Sequence, residues 1–155
     1  MLWWCLETAM SSIDLLMPHS GNMVLVDEIL EYGVDYAVLK SVVKENNAFL
    51  QDGFLPNYVL AEMMAQTLVV LRGLGNQENA NTIGFLLALR NFEVFKNNSK
   101  IGDEIILKVK VSTQDNNGLG IYECQASIGS EIIAKASITA LNPNKEYLEE
   151  ILQRA

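Results

Sequence analysis

Apolar and polar residues alternate along most of the second half of the chain, which is the pattern of β-strands with one solvated face. In the clearest case Lys108, Lys110 and Ser112 alternate with apolar neighbours. Polar breakers, such as residues 97–99 and 115–118, separate the apolar runs. The pattern therefore predicts four strands, over residues 82–95, 103–113, 119–127 and 131–141.

The segment from Asn57 to Gly73 has a different pattern, because apolar residues cover most of a helical circumference. Asn57 is a suitable N-cap, and Gly73 supplies a stop signal. Long polar side chains interrupt the apolar surface at Glu62, Gln66 and Arg72. A helix that is hydrophobic on nearly every side is expected to be buried, so the predicted strands should surround it.

A predicted β-hairpin precedes this helix, because the apolar runs 23–32 and 36–43 flank a turn at residues 33–35. A short helix over residues 11–17 is expected before the hairpin, and an amphipathic helix over about residues 145–153 follows the last strand. This order predicts an α+β domain in which an antiparallel sheet surrounds one long helix. Because such a sheet has open edges, a homodimer that covers them is expected.

The composition fits one domain and argues against several kinds of function. Half of the 155 residues are hydrophobic, so residues 13–155 are expected to form a single domain, with residues 1–12 as an extension. The net charge of −8, from 19 acidic and 11 basic residues, argues against nucleic-acid binding. Cys5 and Cys124 provide neither a metal cluster nor a disulfide framework, and no cofactor is expected.

The first residues of the chain are not expected to be a signal peptide or a membrane span. Its first ten residues are apolar, but they are too short to span a bilayer. They also lack a basic segment and contain Glu7, which makes them a poor signal peptide. A cytoplasmic location without a membrane partner is therefore expected.

Four segments of the chain share their pattern with one family of enzymes. They are residues 16–27 (LMPHSGNMVLVD), residues 55–66 (LPNYVLAEMMAQ), and the shorter stretches 83–88 and 101–103. In this order they resemble the (3R)-hydroxyacyl-acyl-carrier-protein dehydratases of bacterial fatty acid synthesis. Within that family the chain is most similar to a divergent branch of predicted dehydratases that look like companions of polyketide-type or aryl-polyene acyl synthesis.

The resemblance implies the hotdog fold, in which an antiparallel sheet wraps around a long central helix. It also implies a lyase that removes water from 3-hydroxyacyl thioesters in fatty acid or polyketide-type synthesis. The substrate would be carried on acyl carrier protein or coenzyme A. The protein would be a homodimer or a higher homo-oligomer, with an active site shared between subunits.

The chain departs from the family at one catalytic position. In the active dehydratases a histidine just before the central helix works with a helix carboxylate across the dimer interface. The corresponding residues 49–56, FLQDGFLP, contain no histidine, and the single histidine of the chain, His19, lies in the opening motif. Three functions therefore stay open: an active dehydratase, a catalytically degenerate subunit that binds acyl carrier protein or pairs with another hotdog dehydratase, and an acyl thioesterase.

Glu62 is the first candidate for proton transfer. It lies on an otherwise apolar helix, where desolvation is expected to raise its pKa toward the working pH. The alternative is a paired core carboxylate without a catalytic role. Gln66 is one turn later on the same helix face, where it would orient Glu62 or a water molecule, or simply be a satisfied buried amide. His19 is a second catalytic candidate because imidazole titrates near neutral pH, but a structural role in a turn is also expected.

The remaining candidates would bind the substrate. Backbone N–H groups near Phe54 and Asn57, at the start of the long helix, would hold the enolate oxygen. Met63, Phe85 and Leu86 would line an acyl-chain tunnel, with core packing as the alternative for each.

Overall fold

The computed structural model describes residues 24–75, 84–143 and 145–154. This part of the chain forms eight strands and two helices. In chain order they are β1 (Glu28–Tyr32), β2 (Tyr36–Val42), β3 (Phe54–Leu55), α1 (Tyr58–Gly75), β4 (Phe85–Val94), β5 (Ser99–Lys100), β6 (Glu104–Gln114), β7 (Leu119–Ile128), β8 (Glu131–Leu141) and α2 (Lys145–Arg154). The predicted helix over residues 11–17 lies outside the described residues.

Six strands form one antiparallel sheet in the order β1-β2-β6-β7-β8-β4, and the short strands β3 and β5 pair separately. The predicted hairpin is present, since β1 pairs with β2. The four strands predicted for the second half are present as β4, β6, β7 and β8. The predicted α+β architecture, an antiparallel sheet around one long helix, is therefore confirmed.

The central helix α1 packs against the inner face of β2, β6, β7 and β8. Its sheet-facing side chains are nearly inaccessible to solvent, at no more than 4% exposure, namely Leu60, Met63, Met64, Thr67, Val70 and Leu71. Each large apolar side chain buried in this way stabilises the fold by roughly 1.5–3 kcal/mol. The polar member, Thr67, is satisfied because its hydroxyl donates to the carbonyl of Met63 at 2.8 Å.

The opposite face of α1 is only partly covered in a single protomer. Tyr58 is 59% exposed, and Ala61, Glu62 and Ala65 are half-buried. The sequence predicts burial on nearly every side of this helix, so one face still lacks the surface that would bury it. No described helix has the length and apolar character needed to cross a membrane.

The two edges of the sheet differ in character. Edge strand β1 has five residues, two of which are glutamates. Edge strand β4 has ten residues, and four apolar side chains in its first half are exposed: Phe85 by 37%, Leu86 by 53%, Leu87 by 54% and Leu89 by 40%. A long apolar edge is a ready surface for pairing with another strand, whereas a short charged edge is protected from it.

Candidate active site

Glu62 lies in the second turn of α1, on the face that the sheet leaves open. Its carboxylate borders a cavity of about 480 Å³, here called the Glu62 cavity, which is lined by Phe49, Tyr58, Val59, Ala61, Glu62, Ala65, Leu86 and Leu89. Most of this lining is apolar, as in a site that receives an acyl group. Of the residues that line it, Glu62 and Tyr58 are the two with a transferable proton.

Gln66 contacts the Glu62 carboxylate from the buried side. Gln66 is 1% exposed, and its amide oxygen accepts a hydrogen bond from the backbone N–H of Leu25 at 2.8 Å. Its amide nitrogen therefore faces the other way, and it donates to the Glu62 carboxylate at 3.3 Å. The second contact is at the long end of the range for a hydrogen bond. Gln66 thus stands behind the carboxylate and is not part of the cavity wall.

This hydrogen bond joins two segments that the sequence analysis singled out separately. Leu25 belongs to residues 16–27, and Gln66 belongs to residues 55–66. The carbonyl of Leu25 in turn accepts a hydrogen bond from the hydroxyl of Ser41 on β2. Leu25, near the end of residues 16–27, therefore orients Gln66, and Gln66 in turn donates to Glu62.

Asp27, the last residue of that opening segment, has a structural role. Its carboxylate accepts a hydrogen bond from the backbone N–H of Val42 at 2.7 Å and forms an ion pair with Lys44 at 2.5 Å. Both contacts tie the start of β1 to the end of β2. Asp27 is not among the residues that line the Glu62 cavity.

The segment before α1 uses its polar groups internally. Asp52 and Gly53 adopt positive φ angles of 54° and 83°, which close a tight turn between Gln51 and Phe54. The N–H of Phe54 donates to the carbonyl of Gln51 at 3.0 Å, so it is not available to hold an enolate oxygen as the sequence analysis expects. The side chain of Phe54 is 46% exposed and does not line the Glu62 cavity.

Asn57 is also engaged in a structural contact. Its side chain donates to Asn97 at 2.9 Å and accepts from the backbone N–H of Asn98 at 3.3 Å, which links the start of α1 to the segment after β4. Neither Asn57 nor its two partners line the Glu62 cavity.

The residues expected to form an acyl tunnel are placed in three different environments. Leu86 lines the Glu62 cavity. Met63 is fully buried between α1 and the sheet, so it belongs to the core and does not reach the cavity. Phe85 lies at the exposed start of β4, outside the cavity wall. His19 lies outside the described residues, and its catalytic role stays a prediction.

Several residues that line the Glu62 cavity are not among the candidates predicted from the sequence. Tyr58 is four residues before Glu62, just as Gln66 is four residues after it, so the spacing alone could have placed it on the same helix face. Phe49 and Leu89 come from a loop and from an edge strand, and their approach to Glu62 depends on tertiary structure. Cys124 is buried, and burial raises the pKa of its thiol to about 12, which makes it a poor nucleophile at neutral pH.

Comparison with known proteins places this chain in a family. A family model for ApeP-like proteins, described as ApeP dehydratase, matches residues 11–153. The chain belongs to the ApeP-like dehydratase family. The dehydratase relationship predicted from the sequence is therefore confirmed.

Individual relatives of this ApeP-like chain agree with that assignment. It is 28% identical over 147 residues to the 3-hydroxyacyl-[acyl-carrier-protein] dehydratase FabZ of Chlamydia muridarum, covering 88% of this chain and 93% of that protein. It also resembles a chain in the solved dehydratase heterocomplex ApeI:P from Xenorhabdus doucetiae, with 24% identity, a TM-score of 0.78, and coverage of 90% of this chain and 96% of that chain.

A third likeness is to zebra fish thioesterase superfamily member 2. The TM-score is 0.68 at 17% identity, and the match covers 90% of this chain and 98% of that chain. Because the identity is this low, the two solved structures support the fold alone. The predicted hotdog fold is confirmed.

Proposed function

We propose that this ApeP-like chain takes part in the removal of water from 3-hydroxyacyl groups carried as thioesters, with Glu62 as the proton-transfer group. The observation that carries the proposal is the position of Glu62: a carboxylate on the wall of an apolar cavity, with the Gln66 amide fixed behind it. An apolar cavity suits an acyl chain, and a positioned carboxylate suits proton transfer. The similarity to a 3-hydroxyacyl-[acyl-carrier-protein] dehydratase supports the same substrate class.

The chemistry requires one proton to leave carbon and one to reach oxygen. The thioester carbonyl acidifies the C2–H bond, and loss of that proton to a base leads to an enolate. Cleavage of the C3–O bond then forms the C2=C3 double bond, and the departing hydroxyl becomes water when it accepts a proton. A single carboxyl group can perform both transfers in succession. Tyr58 borders the same cavity and is a second candidate donor toward the departing oxygen.

We further propose that a second hotdog subunit covers the Glu62 cavity. Leu86 and Leu89 belong both to the cavity wall and to the exposed apolar strand β4. A strand added along β4 would pair its open edge and would cover the adjacent face of α1. The expected homodimer therefore has a specific surface, the edge of β4 together with the open face of α1.

The partner on this surface is either a second copy of the chain or a different hotdog dehydratase. A second copy is the simpler assembly, because one surface then serves both subunits. The lack of a histidine in residues 49–56 favours a different partner that supplies one. We propose the second copy as the resting assembly, with the mixed pair as the form to test when the pure protein is inactive.

The decisive experiment follows two products in one reaction. The purified chain is incubated with a 3-hydroxyacyl thioester, on acyl carrier protein and separately on coenzyme A, and both conjugated enoyl product and free thiol are measured. Enoyl product that is lost in Glu62→Gln but kept in Glu149→Gln, an exposed carboxylate on α2, supports the proposal. Free thiol without enoyl product means thioester hydrolysis instead.

If the purified chain forms neither product, one further step is needed. A hotdog dehydratase that contains the histidine is inactivated at its own carboxylate and added to the chain. Activity that appears only in the mixture, and only when Glu62 is intact, assigns this chain the role of a subunit that contributes the carboxylate. Lack of activity under all of these conditions would contradict a catalytic role for Glu62.

A further inference from the structure

Arg72, in the last turn of α1, forms no ion pair among the described residues. Its Nε atom is buried and has no hydrogen-bond partner in the part of the chain that the structure describes. Burial also lowers the pKa of Arg72, which the nearby Tyr122 offsets only in part. A buried donor that is left unused is costly, and proteins normally pair such groups.

Stabilisation of the helix end does not account for this arrangement. A cation in the last turn interacts favourably with the exposed carbonyls there, but a solvated side chain achieves the same effect. Arg72 is instead only partly exposed, and its Nε is buried away from water. The burial of this atom needs a separate reason.

Two glycines make room for the polar groups at this place. A Cβ atom on Gly84 would lie 2.0 Å from Nη1 of Arg72, so any other residue would displace the guanidinium. A Cβ atom on Gly120 would lie 2.9 Å from the hydroxyl oxygen of Tyr122. The lack of a Cβ atom at Gly84 and Gly120 therefore leaves space for the guanidinium of Arg72 and the hydroxyl of Tyr122.

Both side chains line a cavity of about 240 Å³, here called the Arg72 cavity. Gln114 and Asn142 add polar side chains to its wall, and Val34 and Val111 lie on its apolar sides. Tyr122 is 2% exposed, and burial raises its pKa, so its hydroxyl stays protonated and remains a donor. The cavity therefore combines one full positive charge with neutral polar groups and no described carboxylate.

We propose that the Arg72 cavity binds a carboxylate ligand with a single negative charge, held by the guanidinium of Arg72 with the Tyr122 hydroxyl as a second donor. A planar guanidinium matches the two oxygens of a carboxylate. One cation balances one negative charge, whereas a phosphate dianion would bring a surplus charge into a protein whose net charge is already −8. Glu62 is ten residues earlier, about 15 Å along the helix axis, so this is a separate site.

The test follows the arginine Nε–H signals by NMR while the full chain is titrated with acetate, with chloride in place of acetate in the reference titration at the same ionic strength. The chain has three arginines, Arg72, Arg90 and Arg154, so the signals are readily assigned. The Arg72 signal is expected to shift and saturate, while that of the exposed Arg90 stays unchanged. An Arg72 signal that does not respond to acetate would overturn the proposal, and this readout needs no substitution.

Three variants sharpen the result, each checked first for native circular dichroism. Arg72→Gln removes the charge and is expected to weaken acetate binding about tenfold or more, the scale of a lost charge-assisted hydrogen bond. Gly84→Ala keeps the charge but crowds the guanidinium, so it should weaken binding as well. Lys108→Gln removes an exposed cation from β6 and should leave binding unchanged.

Equal affinity in Arg72→Gln and the wild type would overturn the site, since the charge would then be irrelevant. Inorganic phosphate that binds more tightly than acetate would overturn the carboxylate class. Neither outcome bears on the dehydratase proposal, because acetate binding is measured without a thioester substrate.

Discussion

The two ends of the central helix border cavities of opposite character. Near its start, Glu62 faces an apolar cavity that opens beside the exposed strand β4. Near its end, Arg72 faces a polar cavity whose walls come from β6, β7 and the segment after β8 of the same protomer. Under our proposal a neighbouring subunit supplies the missing wall of the first cavity, whereas the described walls of the second all come from one chain.

Glu62 and Arg72 also differ in their hydrogen-bond partners. Glu62 receives a hydrogen bond from Gln66, whose own orientation is fixed by Leu25. Arg72 has a buried Nε atom with no acceptor among the described residues. Under our two proposals, the carboxylate of Glu62 acts on a substrate and the guanidinium of Arg72 receives an anion. Substitutions at the two ends should therefore affect different measurements.

The largest effect is expected at Glu62. Glu62→Gln preserves the shape of the side chain and removes the transferable proton, so kcat/KM for dehydration should fall by about a hundredfold or more. The unfolding midpoint in urea should stay close to that of the wild type. Nearly normal turnover by Glu62→Gln would remove this residue from the mechanism and would point to His19 or Tyr58.

Next in size is the effect of a charge on the open edge. Leu87→Lys places a cation on β4, where Leu87 is 54% exposed and is not part of the cavity wall. If a second subunit pairs with β4, the dissociation constant of the dimer, measured by sedimentation, should rise by at least about tenfold. Leu30→Lys makes the same change on edge strand β1, where Leu30 is 46% exposed, and should leave the dimer intact. A wild-type monomer at micromolar concentration would contradict the expected assembly.

Removal of the Gln66 amide should affect both stability and rate. Gln66→Leu leaves the N–H of Leu25 without its acceptor, which should lower the free energy of unfolding by about 1–3 kcal/mol. It also removes the donor to Glu62, so kcat should fall more than KM changes. Gln153→Leu, on the exposed face of α2, is the matched control and should change neither quantity. A loss of stability with unchanged kcat would assign Gln66 a purely structural role.

The sequence predicts the fold well because its signals are local. Alternating residues such as Lys108 and Lys110 predict β6, and the apolar helix with its polar exception Glu62 predicts α1. Local sequence patterns do not predict the walls of the two cavities. Phe49 and Leu89 meet beside Glu62 only because a loop and an edge strand converge there. The space that Gly84 leaves for Arg72 likewise depends on segments that are distant in sequence.

The roles of individual candidates show the same limit. Met63 has the chemistry of a tunnel residue, but its direction on the helix places it in the core. Phe54 has a suitable position before the helix, but its N–H is used within a turn. Periodicity identifies the element on which a residue lies, whereas its neighbours across the fold determine whether it contacts a ligand.

A smaller effect is expected at His19, in the segment that leads to Leu25. His19→Asn keeps one hydrogen-bonding group and removes the titratable ring. If the opening segment mainly supports Gln66 from a distance, the substitution should cost about 1 kcal/mol of unfolding free energy, the scale of one hydrogen bond, with little change in kcat. Urea denaturation and the dehydration assay test both parts. An inactive His19→Asn with an active Glu62→Gln would show that His19 has replaced the missing family histidine.

The smallest effect is expected at Arg72, and its sign is opposite to that of the others. Arg72→Met keeps an unbranched side chain that can fill the space of the Arg72 stem, and it removes a partly buried charge that has no described partner. Without ligand the variant should therefore be as stable as the wild type or more stable, by up to about 1 kcal/mol, because a partly buried cation without a counter-charge opposes folding. With saturating acetate the order should reverse, since only the wild type gains stability from a bound anion. Urea denaturation with and without acetate measures both differences, and a variant that is less stable without ligand would mean that Arg72 already has its partner within the protein.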